Sequence, residues 1–194
     1  MIMHDSVMAF GRAVLTSKYV RGKQVIEVGS MNVNGSLRTH VESLGPSSYV
    51  GVDIIAGHGV DVVCDAVDLK KRFDKNAFDV VISTEMLEHA EDWRATIAVM
   101  KRILRSGGIF LLTARGPGFP LHGHPYDWHR FTVNDFRRIF ADFQIDALEA
   151  DPDPQRPGVL MYARKPRAWR RKNSVNLASI DVAPADETNA PRWG

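Results

Sequence analysis

Residues 25–36 read VIEVGSMNVNGS, and this stretch decides the fold. An apolar, β-branched run enters a glycine-bearing turn and leaves it toward a helix. Working outward, further β-type runs occur at 49–52, 60–63, 78–82, 109–113, 143–148 and 158–163. Several are nearly unbroken in Val, Ile, Leu and Phe, as in strands buried on both faces of a parallel sheet. Helical periodicity fills the gaps. One helix starts at Asp5 or Ser6 and runs toward Tyr19, and a second spans 36–44 with Gly45 as its stop. A third starts from an Asp92 cap and carries Trp93, Ile97, Met100 and Leu104, with Gly107 and Gly108 ending it. A fourth starts at Thr132, with Asp135 as a capping-box partner. Strand and helix alternate, so the expected architecture is an open α/β sheet with helices on both faces.

The 194 residues suit one compact domain. Hydrophobic residues at 44% and charged residues at 25% argue against disorder of the whole chain. The single Cys64 rules out a disulfide framework, a four-cysteine zinc site and a three-cysteine radical cluster. No apolar run reaches the roughly 20 residues of a membrane span, and the N-terminus lacks a secretory pattern. Residence in the cytoplasm and no membrane partner are the expectations. The final 30 residues carry 6 basic and 3 acidic side chains, leaving 19 and 20 in residues 1–164. The body is therefore almost neutral, which argues against a nucleic-acid reader. Residues 165–172, KPRAWRRK, open a stretch without periodicity. We read 165–194 as a basic, flexible tail beyond a domain of residues 1–164.

The turn after the first strand sits where open α/β sheets bind ligands. Gly29 lets backbone approach a ligand, Gly35 relieves crowding before the helix, and helix-start amides favour an anionic group. The GxGxxG fingerprint is absent, because Ser30 to Asn34 fill the place of its second glycine. That disfavours a pyrophosphate cofactor and favours another nucleoside. Asp53, ending the second strand in YVGVDI, can accept both ribose hydroxyls. Asp65 in CDAVDL either meets an adenine amino group or caps a helix.

The runs EVGSMNVNGS, GVDI, CDAVDL, FDVVISTEMLEH and LRSGGIFLLTA, in this order, resemble the class I S-adenosylmethionine-dependent methyltransferases. More narrowly, they are similar to the small single-domain type 11 group. The resemblance spans residues 20–164, with GSMNVNG standing where the family has GxGxG. It implies a Rossmann-like open sheet of seven strands, mostly parallel, whose last strand at 158–163 runs antiparallel. It also implies S-adenosylmethionine as cofactor. Glu27 and Gly29 would lie by its amino-acid end, Gly35 at the helix start, and Ser30 would also be a cofactor contact. Asp53 would hold the ribose, Ile54 the adenine face, and Asp65 with Ala66 the base edge. Thr84 and Glu85 would face the methionine part.

Methyl transfer from a sulfonium needs an aligned acceptor, and a base when the acceptor is a hydroxyl or protonated amine. Two clusters offer one. In a helical turn, Glu85, Glu88 and His89 would share an arc of about 100° and could hold a divalent ion. The run resembles the ExxEH motif of metal-dependent small-RNA 2′-O-methyltransferases and ubiquinone-biosynthesis O-methyltransferases. A metal is kept as an alternative that the reading does not favour. The second cluster, residues 115–132, reads RGPGFPLHGHPYDWHRFT and is similar to a PYDYWRFT-like run of type 11 enzymes. It is expected to recognise the acceptor through His122, Tyr126, Asp127, Trp128, His129 and Arg130. His124 is the first choice of base and His89 the second. The alternative for Trp128 and Phe131 is simple anchorage of the loop.

The leading expectation is transfer of a methyl group to a small-molecule acceptor: a metabolite, sugar or natural product. The alternatives are an RNA methyltransferase using the basic tail and a catalytically silent cofactor-binding module. A homodimer completing the short acceptor lid also stays open.

Overall fold

The computed structural model describes residues 5–33, 35–123, 126–169 and 175–185. Asn34 and His124 lie outside them. Seven strands form one sheet: β1 (Gln24–Val28), β2 (Ser48–Asp53), β3 (Val62–Val63), β4 (Phe78–Thr84), β5 (Leu104–Arg115), β7 (Gln144–Ala150) and β8 (Gly158–Arg164). Their order is β3-β2-β1-β4-β5-β8-β7. The pairs from β3 to β5 are parallel, whereas β8 runs antiparallel to both β5 and β7. The last sheet strand in sequence is thus inserted beside the edge.

The sheet is covered on both faces, which explains the continuous apolar runs. Side chains alternate along a strand. Val81, Phe110 and Leu112 pack with α5 (Trp93–Ile103) and α6 (Val133–Ile139), whereas Val80, Ile82, Ile109 and Leu111 pack with α1 (Asp5–Val14) and α3 (Arg38–Ser43). Asp92 caps α5 through the Ala95 amide, and Thr132 with Asp135 forms the full capping box of α6.

Some boundaries differ from expectation. The first helix stops at Val14, because Thr16 is extended (φ −111°, ψ 168°), and a short α2 (Ser17–Val20) follows. The helix after the first loop begins only at Arg38 and has six residues. The third strand is two residues long. Gly107 and Gly108 do not end α5, which stops at Ile103; they lie inside β5, where the register with β4 shifts between Phe78 and Val80.

Packing also continues past residue 164. Lys165 is buried, and its Nζ donates to the carbonyls of Lys101 (2.7 Å) and Leu104 (2.6 Å). Trp169 donates from Nε1 to Asp142. Farther on, Ile180 is buried, and Arg94 donates to the carbonyls of Leu177 and Ile180. A two-residue β9 (Ala183–Pro184) pairs antiparallel with β6 (His129–Arg130). The described part of the expected flexible tail therefore lies along the domain. Among the described residues no helix is long and apolar enough to cross a membrane.

Candidate active site

A cavity of about 670 Å³ opens at the carboxyl ends of β1, β2, β4 and β5. One wall is built by strand ends. Gly29 has φ +81°, and a Cβ there would collide with the Met86 side chain, so a side chain is excluded twice over. The Gly29 and Ser30 amides donate to the Val52 carbonyl, tying the first loop to β2. Asp53 accepts from the amides of Met31 (3.0 Å) and Ile55 (3.2 Å), which fixes its carboxylate at the cavity rim. Asp65 caps its turn by accepting from the Val67 amide, yet still lines the cavity. Gly35, Ile54, Ala66 and Thr84 complete this wall.

Glu27 is buried under the first loop, where the Tyr49 hydroxyl donates to it. Burial pushes its carboxyl up to about 7, against the lowering effect of Tyr49. Glu85 sits at φ +52°, its amide bonded to the Thr113 carbonyl and hydroxyl, and its carboxylate paired with Arg115. The Arg115 guanidinium is buried, which lowers it to about 10, with Asp151 opposing the shift.

The second wall is the loop after β5. Trp128 and Tyr126 flank the mouth with ring centroids 5.7 Å apart, and the Trp128 amide donates to the Glu88 carbonyl. His89 donates from Nδ1 to the Tyr126 carbonyl (2.5 Å). His122 Nδ1 lies 2.9 Å from Asp127, which also accepts from the His122 amide. The His122 ring packs edge-on to His89 and Phe119. Glu88 is fully buried beside the two imidazoles, and burial pushes its carboxyl up.

The structure redistributes three expected acceptor contacts. Asp127 and Arg130 do not line the cavity. Arg130 is buried, bonded to both Asp127 oxygens and to the carbonyls of Phe119 and Pro120. Burial of Asp127 is outweighed by hydrogen bonds from His122 and Arg130, which hold its carboxyl well below the usual range. The pair therefore staples the loop. His129 also faces away, its Nε2 against the Glu91 carbonyl. Trp128 lines the cavity, whereas Phe131 is core, edge-on to Trp93. The helical turn expected to unite Glu85, Glu88 and His89 does not form: Glu85 precedes a 3-10 turn at Leu87–His89 and turns toward Arg115. Sequence reasoning missed Met31, Ile55, Met86, Arg115 and Phe119, all of which line the cavity. Met86 and Ile55 adjoin named residues, but Arg115 gave no signal beyond opening the loop.

Residues 26–112 match the methyltransferase-domain family Methyltransf_11. No curated protein matches the sequence. Among solved structures, Burkholderia thailandensis 1,6-didemethyltoxoflavin-N1-methyltransferase, bound to 1,6-didemethyltoxoflavin and S-adenosylhomocysteine, aligns with TM-score 0.66 and 18% identity over 82% of this chain and 78% of that one. A methyltransferase in complex with the Haloferax volcanii Trm112 activator aligns with TM-score 0.65 and 19% identity over 87% and 92%. An S-adenosylmethionine-dependent methyltransferase from Mesorhizobium loti aligns with TM-score 0.61 and 20% identity over 81% and 96%. At these identities the structures speak for the fold alone. Over residues 26–112 the chain is thus similar to the type 11 group of methyltransferase domains, and it shares the fold of S-adenosylmethionine-dependent methyltransferases.

Proposed function

We propose that this protein transfers the methyl group of S-adenosylmethionine to a small-molecule acceptor by in-line displacement. The observation that carries this reading is the continuity of one cavity, from Gly29, Asp53 and Asp65 to His89, His122, Tyr126 and Trp128. Asp53 would take the ribose hydroxyls, Ile54 and Ala66 the adenine, and Glu27, Ser30 and Glu85 the methionine end. An acceptor would then lie between the sulfonium and the aromatic mouth, where positioning supplies most of the rate. Proton removal falls to an imidazole: His89, which lines the cavity, or His124 of the same loop segment in sequence. His124 lies outside the described residues, so its place rests on the sequence alone. The enclosed, aromatic mouth and the nearly neutral body favour a compact acceptor over a polyanion. An RNA acceptor held by residues 165–172 loses one of its cations, because Lys165 is spent on two backbone carbonyls.

The test is calorimetric titration of S-adenosylhomocysteine into the wild type and Asp53→Ala. Micromolar binding, weakened about 10- to 150-fold in the variant, is expected from loss of charge-assisted bonds worth about 1.5–3 kcal/mol. Release of S-adenosylhomocysteine on incubation with metabolite fractions, and none with RNA, is the expected second result. No cofactor binding, or turnover on RNA alone, would overturn the proposal.

A further inference from the structure

We propose that Glu88, His89 and His122 form a binding site for one divalent transition-metal ion on the acceptor side of the cavity. One ligand atom from each lies within 4.8 Å of the others. This set is not the one that the sequence pattern suggests. Glu85 is taken by Arg115, and the third ligand comes from a loop 33 residues beyond His89.

Three observations carry the inference. Glu88 is fully buried, and neither carboxylate oxygen has a hydrogen-bond partner. An unpaired buried carboxylate is costly, and a cation is one of the few groups that compensates it. Both imidazoles are already oriented: Nδ1 of His89 donates to the Tyr126 carbonyl, and Nδ1 of His122 faces Asp127. Each ring thus keeps Nε2 as its lone-pair nitrogen, the tautomer that a metal ligand requires. Finally, Asp127 is locked by Arg130, so the carboxylate behind His122 is itself rigid. Oriented ligands backed by fixed outer partners are the anatomy of a metal site, and a lone pair of surface histidines does not have it.

Two imidazoles and one carboxylate suit Zn²⁺ or Mn²⁺ and not Mg²⁺, which prefers oxygen ligands. With three protein ligands, further coordination positions remain for a ligand in the cavity. An acceptor oxygen or nitrogen could occupy one. His89 would then be a ligand, leaving His124 to take the acceptor's proton. The site rests on its own geometry and not on the methyl-transfer reading.

The experiment measures metal binding directly, on full-length protein freed of any affinity tag. Equilibrium dialysis with Zn²⁺, and spin resonance with Mn²⁺, are run on wild type, Glu88→Gln, His122→Asn, Asp127→Asn and an exposed control, His58→Gln. S-adenosylhomocysteine titration without metal reports folding and the cofactor site separately. The expected result is one ion per wild-type and His58→Gln chain. Glu88→Gln and His122→Asn should lose it, and Asp127→Asn should weaken it about tenfold or more, with Mg²⁺ failing to compete at equal concentration. Substoichiometric binding to wild type, or equal binding by the folded Glu88→Gln and His122→Asn proteins, overturns the site. Should one variant fail to fold, the other decides.

Discussion

The two walls of the cavity are built differently. The strand-end wall, proposed to hold the cofactor, is made by the ends of neighbouring parallel strands, and backbone register supplies most of its order. Gly29 and Ser30 hang on Val52, Glu85 hangs on Thr113, and Asp53 braces two amides close to it in space. The loop wall, proposed to meet the acceptor, is assembled by side chains and backbone far apart in sequence. His89 reaches Tyr126, Trp128 bonds to Glu88, and Ala185 donates to the Trp128 carbonyl. A binding crevice at strand ends follows from the sheet itself. A loop held by a few specific contacts can be rebuilt for another acceptor without touching the sheet.

That contrast can be broken in order of effect. Arg130→Met should have the largest consequence, because it strands buried Asp127 and the carbonyls of Phe119 and Pro120. Loss of one member of a buried pair costs about 3–5 kcal/mol, measurable by denaturant unfolding. Cofactor affinity of the folded fraction should change by less than in Asp53→Ala. A drop as large as in that variant would show that the two walls are not separable.

A second effect sharpens the contrast from the cofactor side. Folded Glu27 keeps its proton up to about pH 7, whereas an unfolded glutamate releases it near its usual 4.5. Between those values the folded state binds the extra proton, so stability is highest below the window and falls as pH rises through it. The fall is on the order of 3 kcal/mol. Glu27→Gln should remove it, and unfolding curves at pH 5 and 8 that diverge as much as in wild type would refute the assignment.

The smallest effect concerns the C-terminal segment. Ala185→Pro deletes the amide that bonds to Trp128, a loss of about 1 kcal/mol. It should speed hydrogen exchange at residues 126–130 while leaving Gly29 and Ser30 protected. Unchanged exchange at 126–130 would mean that the segment covers the loop without holding it.

These differences explain what was legible beforehand. The strands and their mostly parallel run were readable from apolar periodicity, and Glu27, Gly29, Asp53, Asp65 and Thr84, at or within two residues of strand ends, all line the cavity. Caps at Asp92 and Thr132 were readable, because their partners lie three residues away. Arg130 and Asp127 looked like acceptor groups, since charge in a long loop suggests a ligand. Their mutual bonds and burial show an internal staple instead. The segment at 175–185 lacked periodicity, and its place is set by Arg94 and by β6, far upstream.

By itself the sequence determined the alternation of strand and helix, the glycine turn after β1, and the carboxylate that ends β2. Local steric rules and hydrophobic periodicity act over a few residues, so one chain's order is enough to read them. Only the tertiary structure decided that His122 joins Glu88 and His89, that Arg115 claims Glu85, and that the C-terminal segment clasps Trp128. Those contacts join positions tens of residues apart, and which side chains meet there depends on how loops close over a finished sheet.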